Sequence, residues 1–146
     1  MRRIAFVLNL FGSEAERASS ERVMRVLLRA LAAANVEYLR DHPSTPALYA
    51  SGVRYRAERV PREDWKGVAQ TIEDGFGDCE DLACWRCAEL VARERVAAEP
   101  VFRYRQVGRL SVYHILVRYP DGRIEDPSAA LGMGSGGATR RQLGLR

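Results

Sequence analysis

Residues 75–81, Gly-Phe-Gly-Asp-Cys-Glu-Asp, combine residue types that could carry out nucleophilic chemistry. Asp78 is a favourable N-cap residue, so the pattern predicts a helix whose first residue is Cys79. The partial positive charge of a helix N-terminus favours a thiolate, and we expect the pKa of Cys79 to be lowered there. Gly75 and Gly77 are expected to allow a sharp turn into this helix and to leave room for a substrate chain. A thiolate at a helix start is one half of a cysteine nucleophile, and the other half is a base.

The chain has two histidines that could supply this base. His42 lies in a proline-flanked loop and is interpreted as a surface residue, whereas His114 lies in an apolar strand, where a lone histidine is more often a core residue. A three-residue loop at 120–122 would pair Leu116 with Asp126. Asp126 would then lie diagonally next to His114 on one face of the hairpin, but a two-residue loop would turn it away. Glycine at the last loop position favours the longer loop, so the sequence predicts that Asp126 orients His114.

The sequence resembles the transglutaminase-like superfamily of papain-fold cysteine enzymes. The residues that carry the resemblance are Cys79 in the run Gly77-Asp78-Cys79-Glu80-Asp81, His114 on a strand and Asp126 after a hairpin. The similarity is greatest to bacterial transglutaminase-like cysteine peptidases, and it covers roughly residues 70–130. The resemblance implies a catalytic triad of Cys79, His114 and Asp126. It also implies acyl transfer from a peptide or side-chain amide through a thioester, and a papain-like fold in which the Cys-bearing helix packs on an antiparallel sheet.

Acyl transfer also needs hydrogen-bond donors for the oxyanion. The backbone N–H of Cys79 is one candidate. Gln70 and Trp65, upstream of the nucleophile, are the other candidates, and each is equally well interpreted as a packing or surface residue.

Three acidic residues surround the nucleophile, and their charge works against a lowered thiol pKa. One interpretation is structural: Asp78 caps the helix, while Glu80 and Asp81 lie in its first turn, where anions are favoured. The other is a bound calcium ion, since some peptidases of the resembled family hold calcium with the acidic residues that flank the cysteine. Here those residues would be Asp78, Glu80 and Asp81, and carboxylate oxygens suit calcium.

Cys84 and Cys87 add two further thiols to the same predicted helix. With Cys79 and His114 they could form a Cys₃His zinc site. The helical spacing instead places Cys84 and Cys87 on an apolar stripe, which is typical of small core residues.

The order of predicted elements is helices first and then an antiparallel meander, which indicates the α+β class: N-terminal helices with a Cys-bearing central helix on a C-terminal sheet. Ser13 and Glu16 form a predicted capping box that opens the first helix, which fades near Leu39. The apolar positions of that helix are Val23, Val26, Leu27, Ala30, Leu31 and Ala34. The other predicted segments are a buried segment at 3–11, a strand at 53–60, a short helix at 63–74, the Cys-bearing helix at 78–97, and strands at 101–107, 110–119 and 123–126. Residues 1–130 are predicted to form one domain and residues 131–146 a flexible Gly-rich tail.

The composition restricts where the protein works and what it binds. The chain has 146 residues and a net charge of +4, with Lys66 as its only lysine. Because its arginines alternate with acidic residues along most of the chain, a nucleic-acid partner is not expected. No run is long enough to span a membrane, and three cysteines fit a reducing compartment. Residues 1–11 are similar to a signal peptide, but Asn9 interrupts the apolar run, so we expect a cytoplasmic location, with export as the alternative.

The sequence therefore predicts a cysteine-dependent enzyme that acts on a protein or peptide substrate, with hydrolysis favoured because nothing marks an amine site. Two alternatives stay open. One is a catalytically inactive scaffold or binding module of the same fold, with a role in phage assembly. The other is the Cys₃His zinc module, binding nucleic acid.

Overall fold

A long N-terminal helix and a three-stranded antiparallel sheet pack on a central helix that begins at Cys79. The computed structural model describes residues 14–58, 64–107 and 110–134. The helices are α1 (Glu14–Asp41), a 3₁₀ helix (Leu48–Ala50), α2 (Val68–Asp74), α3 (Cys79–Arg93) and α4 (Pro127–Ala130). The strands are β1 (Arg54–Tyr55), β2 (Phe76–Gly77), β3 (Glu99–Val107), β4 (Leu110–Arg118) and β5 (Ile124–Glu125). The predicted α+β class is confirmed.

The main sheet is a meander in the order β3-β4-β5, antiparallel throughout. Strand β4 pairs with β3 along its whole length but with β5 over only two residues, Val117 opposite Glu125 and Arg118 opposite Ile124. A separate parallel pair joins β1 to β2 immediately before α3. The small pair therefore ends at Gly77, two residues before Cys79, while His114 lies in the middle of β4.

Helix α3 is buried on nearly all sides because it supplies residues to two cores. Leu82 and Trp85 pack with α1, the 3₁₀ helix and α2, while Ala83 and Leu90 pack against the sheet. A helix that is buried on most sides lies in the interior of its domain, although α3 also buries the charged residues Glu80, Asp81 and Glu89. The nucleophile is thus at the N-terminus of an element that both halves of the fold hold in place.

The predicted apolar face of α1 is wrong. Its buried residues are Met24, Leu28, Asn35, Val36 and Leu39. Of the predicted positions, Val26 is 65% exposed, and Val23, Ala30 and Ala34 are also exposed. Apolar residues occur along much of this helix, so more than one stripe has helical spacing. The stripe that packs on α3 and the sheet is the buried one, and residue size does not select it, since the predicted stripe also holds Leu27 and Leu31.

The central helix ends at Arg93, four residues before the predicted end at 97. The chain leaves the helix at Arg95, which has a left-handed φ of 57°, and the Val96 N–H donates to the Leu90 carbonyl at 2.9 Å. Within the described part of the predicted strand at 53–60, residues 53–58, the paired residues are Arg54–Tyr55. Sequence reasoning did not predict α4, where Asp126 is the N-cap and proline is the first residue, a favoured start.

Several predictions fall outside the described residues: the segment 3–11, the capping box of Ser13, and residues 135–146 of the tail. Leu131, the first residue of the predicted tail, is buried in the core with Trp85, so the packed part of the chain includes it. Among the described residues, no helix has the length and apolar character needed to cross a membrane.

Candidate active site

The start of α3 has the predicted capping arrangement. Asp78 is the N-cap, and its side chain accepts a hydrogen bond from the Asp81 N–H. The Asp81 side chain accepts one in return from the Asp78 N–H at 3.2 Å. This reciprocal pair is a capping box, and it makes Cys79 the first residue of the helix.

Asp81 connects this cap to the preceding loop through Lys66. The Lys66 N–H donates to Asp81 Oδ1 at 2.6 Å, and Lys66 Nζ lies 3.8 Å from Asp81 Oδ2. Asp81 is fully buried, and burial together with the charge of Asp78 raises its pKa to about 8, against the hydrogen bond and charge of Lys66. Both carboxyl oxygens of Asp81 are engaged by protein donors, so this residue fixes the position of the helix start.

The two glycines before the nucleophile have different roles. Gly75 ends α2 in the left-handed conformation, at φ 76°, as a helix C-cap commonly does. Gly77 is buried, and a Cβ there would lie 3.0 Å from Asp81 Cβ and 3.1 Å from Thr71 Cγ2. The space beside Gly77 is therefore filled by its own neighbours, and the expectation that it receives a substrate chain is wrong.

The Cys79 thiol has two hydrogen-bond partners. Its Sγ donates to Glu80 Oε2 at 3.1 Å and accepts from the backbone N–H of Ile115. Burial, followed by the charges of Glu80 and Asp78, raises the pKa of Cys79 well above its usual value, and the Ile115 N–H only partly opposes this. The predicted lowering of this pKa is wrong, because desolvation and two carboxylates outweigh the helix terminus.

His114 and Asp126 are in contact. Loop 120–122 has three residues, with Gly122 at φ 88°, and the β4–β5 register continues to place Leu116 opposite Asp126, as the sequence predicts. His114 Nε2 lies 2.9 Å from Asp126 Oδ2, and since a carboxylate only accepts, Nε2 carries the proton. In the neutral ring Nδ1 then has the lone pair.

The structure thus brings His114 to Asp126 and brings the Cys79 sulfur to the backbone of the residue after His114. The thiol hydrogen bond goes to Glu80 rather than to the His114 ring. Hydrogen bonds between catalytic groups are often long or poorly aligned before substrate binds.

Each oxygen of Asp126 has its own partner. Oδ2 contacts His114, and Oδ1 accepts from the Ala129 N–H at 3.1 Å, which caps α4. The short helix α4 therefore holds the carboxylate in the orientation that reaches His114.

Tyr55 is a site residue that the sequence reasoning missed. It lies on β1, opposite Gly77 of β2. Its pKa is raised first by burial and then by four negative or ionisable neighbours, Cys79, Asp78, Glu80 and Asp126. The sequence around Tyr55, a tyrosine between two arginines, does not indicate that it lies near Cys79, because that position depends on the pairing of β1 with β2. The Tyr55 hydroxyl stays neutral and lies within electrostatic range of the thiol and of these carboxylates.

The two oxyanion candidates have different surroundings. Gln70 Nε2 donates to Asp74 Oδ1 at 2.8 Å along the surface of α2, which is a structural contact. Trp65 packs against the sheet-side core beside Cys79. Of the two, only Trp65 shares a core with the nucleophile.

The acidic residues around Cys79 do not present one set of calcium ligands as they are arranged. Asp81 directs both oxygens to protein N–H groups, Asp78 caps the helix, and Glu80 accepts from the thiol. In the part of the chain that the structure describes, no group of three or more His, Cys, Asp and Glu side chains is placed to hold a metal ion. Calcium binding stays untested beside the capping interpretation, and a melting-temperature titration with calcium distinguishes the two.

Cys84 and Cys87 lie in the core, as the helical spacing indicates. Cys84 Sγ donates to the Leu28 carbonyl at 3.4 Å, and burial raises the pKa of both thiols. Such surroundings are typical of structural cysteines.

Searches of protein-family models, curated proteins and solved structures gave no match to this chain.

Proposed function

We propose that the protein is a cysteine-dependent enzyme of transglutaminase-like type that cleaves peptide or side-chain amides through a thioester. The observation that carries this proposal is the 2.9 Å contact between His114 and Asp126, on a strand whose next backbone N–H bonds the sulfur of Cys79. A histidine oriented by a carboxylate beside a thiol at a helix start is the arrangement that thiol acyl transfer needs.

In this mechanism Cys79 Sγ attacks the amide carbonyl carbon. His114 takes the thiol proton on Nδ1 and passes it to the leaving amine as the C–N bond breaks. Asp126 holds Nε2–H and stabilises the imidazolium that forms between these steps. Water then attacks the thioester carbonyl carbon and gives a proton to His114. The C–S bond breaks, the acid product leaves, and His114 returns the proton to Sγ, which regenerates the thiol.

The raised pKa of the Cys79 thiol determines how this nucleophile is activated, because the thiol is protonated at rest. A thiol that is protonated and bonded to Glu80 at rest is not a preformed thiolate–imidazolium pair. Activation must therefore come from general-base transfer to His114 when substrate displaces the thiol from Glu80. The backbone N–H of Cys79 at the helix start is one donor for the oxyanion, and the Tyr55 hydroxyl is a second candidate.

Selective alkylation tests the proposal. A limiting dose of iodoacetamide should modify Cys79 before the buried Cys84 and Cys87, as peptide mapping by mass spectrometry would show. His114→Ala should slow that reaction at least about threefold while the circular dichroism spectrum is unchanged. The matched control is His42→Ala, which removes the other histidine, an exposed ring stacked on Tyr38.

Equal labelling of all three cysteines, or equal rates in the two histidine variants, would contradict the proposal. The scaffold interpretation would then be preferred, because a fold can persist without its chemistry. Stoichiometric zinc in the purified protein would instead support the zinc module.

A further inference from the structure

Glu125, the residue immediately before Asp126, accepts three side-chain hydrogen bonds that the proposed chemistry does not use. Arg86 Nε donates to its Oε1 at 2.9 Å, the Tyr49 hydroxyl donates to the same oxygen, and the Tyr119 hydroxyl donates to Oε2. We refer to Glu125, Arg86, Tyr49 and Tyr119 as the Glu125 network. Glu125 and Tyr119 belong to the β4–β5 hairpin, Arg86 to α3 and Tyr49 to the 3₁₀ helix, so the network joins three separate parts of the fold.

Arg86 is held firmly enough to act as the anchor of this network. Its side chain is 16% exposed, and it also pairs with Glu89 at 3.4 Å and with Glu94 at 3.2 Å. Glu89 in turn accepts from the Leu48 N–H at 2.6 Å, which docks the 3₁₀ helix on α3. Buried charges that are fully paired resist displacement, because removing one partner leaves another uncompensated.

The strand that Glu125 holds has little support of its own. β5 has two residues and lies at the edge of the sheet, paired only to the end of β4. A pairing this short contributes little stability without side-chain contacts. Burial works to raise the pKa of the Glu125 carboxyl, but the hydrogen bonds from Tyr119, Tyr49 and Arg86 outweigh it and hold that pKa below its usual range.

The Glu125 network also fixes the position of Asp126 relative to the helix that carries Cys79. Arg86 follows Cys79 by seven residues, about two helical turns, so both lie on one side of α3. Consecutive residues of an extended chain point to opposite faces, so Glu125 faces α3 while Asp126 faces His114. Fixing Glu125 on Arg86 therefore fixes Asp126 relative to the helix that carries the nucleophile.

We propose that Glu125 is a positioning residue. Its contacts with Arg86, Tyr49 and Tyr119 hold the end of β5 on α3. This keeps Asp126 in hydrogen-bond contact with His114 and fixes its position relative to Cys79. The catalytic consequence rests on the proposed function, but the contact between Asp126 and His114 is measurable without it.

The test is the exchange of the His114 Nε2 proton with water, followed by NMR on the full chain. In Glu125→Gln one acceptor oxygen and the charge are lost, so the end of β5 is expected to loosen and the Nε2 proton to exchange at least about tenfold faster. The control is Glu94→Gln, which removes an exposed partner of Arg86 but leaves the link to β5 in place. Its exchange rate should stay within about twofold of wild type.

A second set of variants protects the test against loss of folding in Glu125→Gln. Tyr49→Phe with Tyr119→Phe removes two of the three donors while keeping the ion pair, and should also accelerate exchange. Arg86→Met should match Glu125→Gln, and combining the two should add little, because both changes break the same contact.

The outcomes separate this proposal from the proposed function. Unchanged Nε2 exchange in folded Glu125→Gln overturns the positioning role, even where Cys79 alkylation depends on His114. Faster exchange supports the role. Faster exchange together with alkylation that is indifferent to His114 supports the positioning of Asp126 and counts against the acyl-transfer chemistry alone.

Discussion

Burial is the main reason for the raised pKa of Cys79, and the charge of Glu80 and its hydrogen bond with the thiol add to it. Glu80 is buried and lies next to the thiol in sequence, so its charge raises the pKa of Cys79 at rest. A substrate carbonyl that approaches the sulfur would have to displace this contact. The resting site is therefore less reactive than a thiol at an isolated helix N-terminus.

Replacing Glu80 with glutamine should make Cys79 more reactive. Glu80→Gln removes one of the charges that raise the pKa of Cys79, so the thiolate fraction near pH 7.5 should rise and alkylation by iodoacetamide should be about three- to tenfold faster. Glu94→Gln, an acid-to-amide change far from the thiol, is the control. A slower reaction in Glu80→Gln would mean that Glu80 takes the thiol proton rather than holding it in place.

Gly77 is the tightest point in the elements that lead to the nucleophile. It lies on β2 between α2 and α3, with Asp81 and Thr71 at the limit of contact. Gly77→Ala must displace Asp81 or Thr71 and should lower the free energy of unfolding by about 2 kcal/mol, measured by urea denaturation.

Gly75→Ala is the comparison for this prediction. A Cβ at Gly75 meets nothing within 4 Å, so its cost comes from the left-handed backbone alone, about 1 kcal/mol. Since only Gly77 touches the capping box, Gly77→Ala should also change the rate of Cys79 alkylation, whereas Gly75→Ala should not. Equal effects of the two substitutions on both measurements would refute the packing role of Gly77.

The features that the sequence predicted well are local ones. The cap at Asp78 and the register of the hairpin depend on residues within about ten positions of each other, whose turn and capping preferences are strong. The thiol partner, the role of Tyr55 and the contact between Arg86 and Glu125 depend on packing between segments far apart in the chain. The buried face of α1 was mispredicted for the same reason, because its partners and not its own spacing select the stripe.

For the molecule as a whole, acid stability should depend on the carboxylates that accept hydrogen bonds from arginine and tyrosine. Hydrogen bonds to Arg118 lower the pKa of Glu99, and the Glu125 network lowers that of Glu125. A lowered folded-state pKa contributes stability that is present above the unfolded value, about 4.3, and is lost as the pH falls through the folded value.

The difference in melting temperature between wild type and Glu125→Gln should therefore be largest above about pH 5 and should shrink by about half or more at pH 3. Thermal unfolding monitored by circular dichroism between these pH values measures it. The pKa of Asp81 is raised, so its contribution to stability changes with pH in the opposite direction. The melting temperatures of wild type and Glu125→Gln must therefore be compared at each pH, rather than wild type alone across pH. A difference that grows toward pH 3 would be inconsistent with the hydrogen bonds of Glu125.

Calcium should have little effect on the stability of the whole molecule, because the oxygens of Asp81 are already committed to Lys66 and Asp78. Addition of about 5 mM calcium is expected to shift the melting temperature by less than about 1 °C relative to the same concentration of magnesium. A site with millimolar affinity would instead raise it by roughly 2–4 °C. A shift of that size would show that the three acidic residues rearrange around the ion.

The burial of Lys66 has a practical consequence for chemical labelling. It is the only lysine of the chain, its side chain is 4% exposed, and Nζ donates to the Phe76 carbonyl at 2.8 Å while lying 4.1 Å from the Phe76 ring centroid. Amine-directed dyes, cross-linkers and immobilisation chemistry would therefore find no accessible lysine side chain on the folded protein. The rate at which Lys66 is acylated therefore measures local opening: it reports how often the segment beside the start of α3 is exposed to solvent.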